Sequence, residues 1–159
     1  MTSHSIATED HPDAVVRPPR LYLAALAIAF ALDWGWPVAF LPAGVAWPLG
    51  AALIVLGVAI MTVAVRQFHS AGTNVPTVEP TTAIVSDGLY GFSRNPIYLA
   101  LSAIYLGIAV AADNLWAVAL LLLVLVVMQR GVIFREEAYL EAKFGDHYRS
   151  YKAGVRRWI

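Results

Sequence analysis

The sequence predicts an all-α fold, an integral-membrane four-helix up-down bundle followed by a cytoplasmic helical segment. Three observations predict it. Of 159 residues, 59% are hydrophobic and 14% charged, against roughly 45–50% and about 25% in ordinary soluble domains. That leaves too little polar surface to coat a water-exposed globule. Four apolar stretches follow one another along the chain, each near the ~20 residues of helix that cross a ~30 Å hydrocarbon core. Lys and Arg are confined to residues 17–20, 66–94 and 130 onward.

Residues 1–20 read as a disordered tail, because Glu9, Asp10, His11, Pro12, Asp13, Arg17, Pro18, Pro19 and Arg20 are polar or helix-breaking. The acidic residues and the length of the apolar run behind them make a poor signal peptide. Residues 21–159 form a single domain. Its spans are expected at about 21–41 (interrupted by Asp33), 45–65, 96–112 and 115–134, with cytoplasmic helices over about 135–158. The connections at Pro42–Ala46 and Asp113–Asn114 are brief, which makes the helices they join antiparallel neighbours. The positive-inside rule then puts both termini and the long middle connection on the cytoplasmic side of the inner membrane. Trp34, Trp36, Trp47 and Trp116 cluster at the opposite interface, where amphipathic rings are favoured.

Zero net charge, from 11 basic and 11 acidic residues, argues against a nucleic-acid partner. The absence of cysteine excludes disulfides, thiolate metal sites and catalytic thiols. His4 and His11 lie in the tail, and His69 and His147 are isolated, so no metal site is expected. No nucleophile-elbow, phosphate-loop or dinucleotide motif occurs, and the length excludes a nucleotide-binding α/β domain with an anchor.

Function is expected on the cytoplasmic side, in two segments. The middle connection ends in Asp87-Gly88, a turn signal, and Arg94-Asn95-Pro96. Here Asn95 is expected to cap the third helix and Pro96 to occupy its first position. Arg94 and Asn95, beside Tyr90 and Tyr98, thus stand at a helix N-terminus suited to a carboxylate or phosphate; alternatively Arg94 snorkels to headgroups. In the second segment, regular helical spacing would align Arg130, Phe134, Glu137 and Glu141. Gly145 should stop that helix, with Asp146 capping a short one after it. That face reads either as solvated ion pairs or, with Phe144, Tyr148, Tyr151, Val155 and Trp158, as a lid over a site. Asp33 is a candidate coupling carboxylate of a small four-span transporter, although its neighbours Trp34 to Pro37 favour an interfacial, structural Asp.

Three blocks carry a family resemblance: Gly72-Thr73 with Val75-Pro76; Asp87-Gly88-Leu89-Tyr90 with Ser93-Arg94-Asn95-Pro96 and Tyr98; and Glu136-Glu137 with Leu140, Phe144-Gly145, Tyr148 and Tyr151. Over about residues 45–159 the chain resembles the membrane-embedded methyltransferases of the isoprenylcysteine carboxyl methyltransferase and phospholipid methyltransferase superfamily, most closely its short bacterial members. The resemblance implies S-adenosylmethionine as methyl donor and a lipid-like or hydrophobic acceptor arriving from the bilayer. It places Tyr90, Arg94, Asn95, Pro96, Tyr98, Glu136, Glu137, Tyr148 and Tyr151 around the donor. One departure is Asn95, where eukaryotic members usually have His; Asn does not titrate, so no imidazole base stands there. Arg94, Glu137 and Arg130 are the expected catalytic side chains. Glu137 or Glu136 would serve as base for an amine acceptor, and Arg130 would orient an acidic acceptor or pair with the glutamate. A non-catalytic accessory membrane protein keeping the fold is the remaining alternative.

Overall fold

The computed structural model describes residues 15–42, 44–73 and 81–159, and these are helical apart from short turns. The helices are α1 (Pro18–Gly35), α2 (Ala46–Ser70), α3 (Pro96–Ala111), α4 (Leu115–Met128), α5 (Phe134–Phe144) and α6 (Asp146–Gly154), with a 3₁₀ turn at Gly88–Gly91 and a π turn at Gln129–Ile133. His4, His11, most of the expected tail and the Val75-Pro76 pair lie outside the described residues.

Several expected boundaries move. The tail was expected to run to residue 20, but α1 already begins at Pro18, since Pro is well placed in a first turn. It also ends at Gly35 rather than near residue 41. The sequence Gly35-Trp36-Pro37 is a poor continuation, because the residue before Pro is driven out of the α region. At the other boundary α2 runs five residues past its expected end, to Ser70. Leu115–Phe144 forms one 30-residue helix containing the π turn, in which Phe134 N–H reaches back to the Gln129 carbonyl. A π turn inserts extra residues into the helical repeat. The expected alignment of Arg130 with Glu137 is therefore broken: Arg130 is exposed while Glu136 and Glu137 are buried.

Two helices, Ala46–Ser70 and Leu115–Phe144, are long and apolar enough to cross a membrane. The surface agrees with a lipid environment. Large apolar side chains such as Leu23, Val55 and Leu122 are 65–69% exposed, whereas Ala29, Ala64, Ala100, Ala109 and Ala117 are fully buried. Small residues inside and large apolar ones outside are the pattern of helices packed in a bilayer. The α2–α3 contact shows why: a Cβ at Gly50 would fall 2.4 Å from the Ala111 backbone, and one at Gly57 2.7 Å from Ile104. Gly50 meets Gly107 and Ala111 while Gly57 meets Ala100 and Ile104, so α2 and α3 run antiparallel.

Helices α1 and α4 are antiparallel too. Val15 N–H bonds Gly131 C=O near one end, and Asn114 Nδ2 bonds Ala29 C=O near the other. Asn114 is the one that caps its helix, accepting from Ala117 N–H. Asp113 accepts from the backbone of Phe40 and Leu41, Asp33 from Val38 N–H, and Trp116 donates to Trp36 C=O. Asp33 is thus engaged in closing the end of α1. The opposite end holds the 81–95 segment, α5, α6 and residues 155–159. Gly145 joins α5 to α6 at φ +55°, a left-handed value that favours glycine, and it takes the N-cap position expected for Asp146.

Candidate active site

The 81–95 segment is held to the end of α2 by side-chain bonds. Gln67 donates to Asp87 C=O and accepts from Leu89 N–H, while the Thr73 hydroxyl accepts from Thr82 and Ala83 N–H. This fixes the 3₁₀ turn so that Tyr90 is buried edge-on against Phe68, ring centroids 5.0 Å apart. From the far side, Tyr151 donates to Tyr90 C=O at 2.8 Å.

Residues 155–159 complete the site. Ser93 and Arg156 form a parallel backbone bridge, with Arg94 N–H donating to Arg156 C=O at 2.9 Å. Asn95 does not cap α3 with its side chain; its amide instead donates to Arg157 C=O at 2.9 Å. The reason is tertiary: Asn95 is buried against this returning segment, whose carbonyl needs a donor. Trp158 donates from its indole to Gln129 in the π turn.

The charges converge on Glu137. Arg157 grips its carboxylate through two bonds, Nε to Oε1 and Nη2 to Oε2, each 2.8 Å. Arg94 Nη2 reaches Oε1 at 3.0 Å, while Arg94 Nη1 donates to Lys152 C=O. Arg94 and Glu137 side chains are only 8% and 7% exposed. Burial pushes the Glu137 carboxyl up, but the Arg157 bond and the charges of Arg94, Arg157 and Lys152 outweigh it and hold the group below its ordinary value. The neighbouring Glu136 accepts from Tyr98 OH at 2.5 Å. Burial, the largest influence on each, pushes the Tyr90 and Tyr148 hydroxyls well up and Tyr151 up to about 12. All three stay neutral donors at physiological pH.

These residues line a cavity of about 60 Å³. Seven expected residues line it: Tyr90, Arg94, Asn95, Glu136, Glu137, Tyr148 and Tyr151. Pro96 and Tyr98 line an adjoining cavity that shares Tyr90, Arg94, Asn95 and Glu136. Arg130 is not brought to Glu137; it lines a separate groove with Leu99, Ser102, Leu125, Val126, Gln129 and Trp158. Three cavity-lining residues carry buried polar atoms with no hydrogen-bond partner among the described residues: Thr81 Oγ1, Tyr90 OH and Arg94 Nε. Buried polar groups are nearly always paired, so three orphans around one cavity point to a polar ligand.

Phe68, Thr81 and Arg157 were missed from the sequence. For Arg157 a signal existed: two adjacent buried carboxylates need cations, and Arg156-Arg157 follow within reach. Nothing in the local sequence marks Thr81. Among the described residues no His, Asp or Glu cluster suited to a metal ion occurs.

The comparisons with known proteins bear on this arrangement. An uncharacterized protein of Haemophilus influenzae is 43% identical over 63 residues, 40% of this chain and the whole of that protein. The solved structure of the eukaryotic intramembrane Ras methyltransferase, an isoprenylcysteine carboxyl methyltransferase, matches with a TM-score of 0.68 at 22% identity. It covers 91% of this chain, which spans 54% of its length, so the likeness shows a shared fold. The profile of the phospholipid methyltransferase family matches residues 45–147, a stretch that contains the cavity-lining residues other than Tyr148 and Tyr151, and the chain accordingly belongs to that family.

Proposed function

We propose that this chain is an S-adenosylmethionine-dependent membrane methyltransferase that acts on a carboxylate or amine of a lipid-like acceptor at the cytoplasmic face. The observation that carries the reading is the cavity with its three unpartnered polar atoms, set between carboxylates and aromatic rings. When bound, S-adenosylmethionine supplies an electrophilic methyl group on a sulfonium centre. The residues fit such a ligand. Arg94 Nε and the Thr81 hydroxyl suit its carboxylate, Glu136 its cationic groups, and Tyr90 and Tyr148 offer aromatic faces to a cation. Methyl transfer depends chiefly on holding the reacting atoms in line, and the closed network around Glu137 is built to hold.

Glu137 itself is a poor base, since its carboxyl lies below its ordinary value and is bonded by two guanidinium groups. Its proposed role is to hold Arg94. A carboxylate acceptor is ionised at neutral pH and needs no base; an amine acceptor would turn to Glu136. We place the acceptor's approach in the groove of about 460 Å³ between α3 and α4, where apolar walls meet Arg130 at the rim. Arg130 there would orient the acceptor headgroup.

The antiparallel pairings support a four-span up-down bundle of α1 to α4. The gathering of Lys and Arg at the cavity end, with Trp34, Trp36 and Trp47 72–94% exposed at the other, supports cytoplasmic termini in the inner membrane. The engagement of Asp33 by Val38 N–H leaves the transporter reading without a specific observation in its favour.

The test is calorimetry of the folded protein in detergent with S-adenosylmethionine, followed by incubation with methyl-labelled donor and a total lipid extract. Donor binding in the micromolar range typical of enzyme substrates and a labelled lipid product are expected, with Asp33→Asn leaving both intact. Folded protein that binds no donor overturns the proposal. Binding without any labelled product would favour the accessory-protein reading.

A further inference from the structure

We infer that Arg157, which lies beyond the residues matched by the family profile, is a positioning residue. It occupies Glu137 so that Arg94 keeps its Nε–H directed to the ligand's carboxylate. The inference rests on the donor-binding reading of the cavity and extends it to a residue outside the recognised motifs.

Three guanidinium and carboxylate contacts carry the argument. Glu137 Oε1 takes a bond from each arginine, but Oε2 is taken by Arg157. Arg94 therefore reaches Glu137 through Nη2 only, and its Nη1 is spent on Lys152 C=O. What remains is Nε, buried and without a hydrogen-bond partner among the described residues, in a residue that lines the cavity. An Arg–carboxylate pair prefers the forked arrangement with two parallel bonds. With Oε2 vacant, Glu137 would rotate to accept Arg94 through Nε and Nη2 together. That fork would satisfy the pair and remove the donor from the cavity. Arg157 prevents it by forking onto Glu137 first.

The competing fork is itself held in place. The Arg157 guanidinium stacks over the Phe134 ring, 4.6 Å from its centroid, and its backbone carbonyl is bonded by the Asn95 amide. The neighbouring Trp158 is bonded to Gln129. A charge anchored by a ring, a backbone bond and a flanking indole is set in a fixed geometry, unlike the exposed Arg149–Asp146 pair.

The test compares two ligands that share the adenosine thioether but differ in the carboxylate. S-adenosylhomocysteine carries the amino-acid group; 5′-methylthioadenosine lacks it. Calorimetry on the full chain in detergent should show Arg157→Gln lowering affinity for S-adenosylhomocysteine by about tenfold, the scale of one charge-assisted hydrogen bond. Its affinity for 5′-methylthioadenosine should change by less than about twofold. A parallel loss for both ligands would mean that Arg157 only supports the pocket, and would overturn the inference; so would unchanged binding of both. Should Arg157→Gln fail to fold, Arg157→Lys keeps the charge but makes a point contact rather than a fork. It should show the same selective loss in smaller measure, and wild-type affinity for S-adenosylhomocysteine would overturn the inference. Wild-type protein that binds neither ligand overturns the donor-binding reading and this inference together, whereas wild-type binding unchanged in both variants overturns this inference alone.

Discussion

Polar side chains are buried at both ends of the helices, but their partners differ. At the Asp113 end, Asn114 is fully buried and its amide is bonded on both sides, to Ala117 N–H and Ala29 C=O. Asp113 ties down two backbone amides and Trp116 a third group. At the Arg94 end, Thr81, Tyr90 and Arg94 each keep a buried polar atom without a partner among the described residues. One end is a joint, its polar groups paired within the protein. The other keeps buried polar atoms open, as the proposed donor site requires of a binding site rather than a structural polar cluster of similar burial.

The most damaging way to break this contrast is to remove the hub of the open end. Glu137→Ala leaves Arg94 buried and Arg157 half-buried without their shared carboxylate, and loss of one partner of a buried ion pair costs about 3–5 kcal/mol. Thermal unfolding in detergent should show a large fall in stability, with donor binding lost. Acid gives a milder version. The Glu137 carboxyl sits below its ordinary value of 4.5, so its contribution is complete above that pH and is lost as the pH falls through the lower folded value. Glu137→Gln should flatten that acid limb of the stability profile.

The closed end should respond less, and only in stability. Asn114→Ala removes a helix cap and leaves the Ala29 carbonyl short of a donor, a cost of about 1–2 kcal/mol. Donor affinity measured on the surviving folded protein should equal that of the wild type. A change in affinity would mean that the two ends are coupled, against the separation drawn here.

The two asparagines that precede helices also show how far local sequence reaches. Asn95 and Asn114 both immediately precede a helix, but the sequence marks only Asn95 as a side-chain cap. The structure caps at Asn114 and turns the Asn95 amide to Arg157 C=O. The difference lies 62 residues away in sequence, beyond any local pattern. The same holds for the π turn: helical spacing aligned Arg130 with Glu137, but the extra residues at Gln129–Ile133 send Arg130 to another groove. Apolar runs, brief connections and motif blocks are properties of neighbouring residues, so the helices and seven cavity residues were legible. Thr81 and Arg157 enter the site through folding of distant segments; Arg157 leaves only the trace of a basic pair downstream of Glu136-Glu137, and Thr81 leaves none.

The smallest expected effect has the most informative sign. Tyr90 packs against Phe68 and is 4% exposed, yet its hydroxyl has no partner among the described residues. An unsatisfied buried hydroxyl carries a desolvation penalty of about 1–3 kcal/mol. Tyr90→Phe keeps the ring packing and removes the penalty, so the ligand-free protein should become more stable, by about 1 kcal/mol, while donor affinity falls a few-fold. Tyr105→Phe is the control. Its hydroxyl is also buried and unpartnered among the described residues, but it lies within α3 and does not line the cavity. It should gain stability without losing affinity. Paired thermal unfolding and calorimetry on the two variants would therefore separate an atom left open for a ligand from one merely left over by packing. A Tyr90→Phe protein that loses stability, or binds donor as the wild type does, would place Tyr90 among the structural residues and shrink the open end to Thr81 and Arg94.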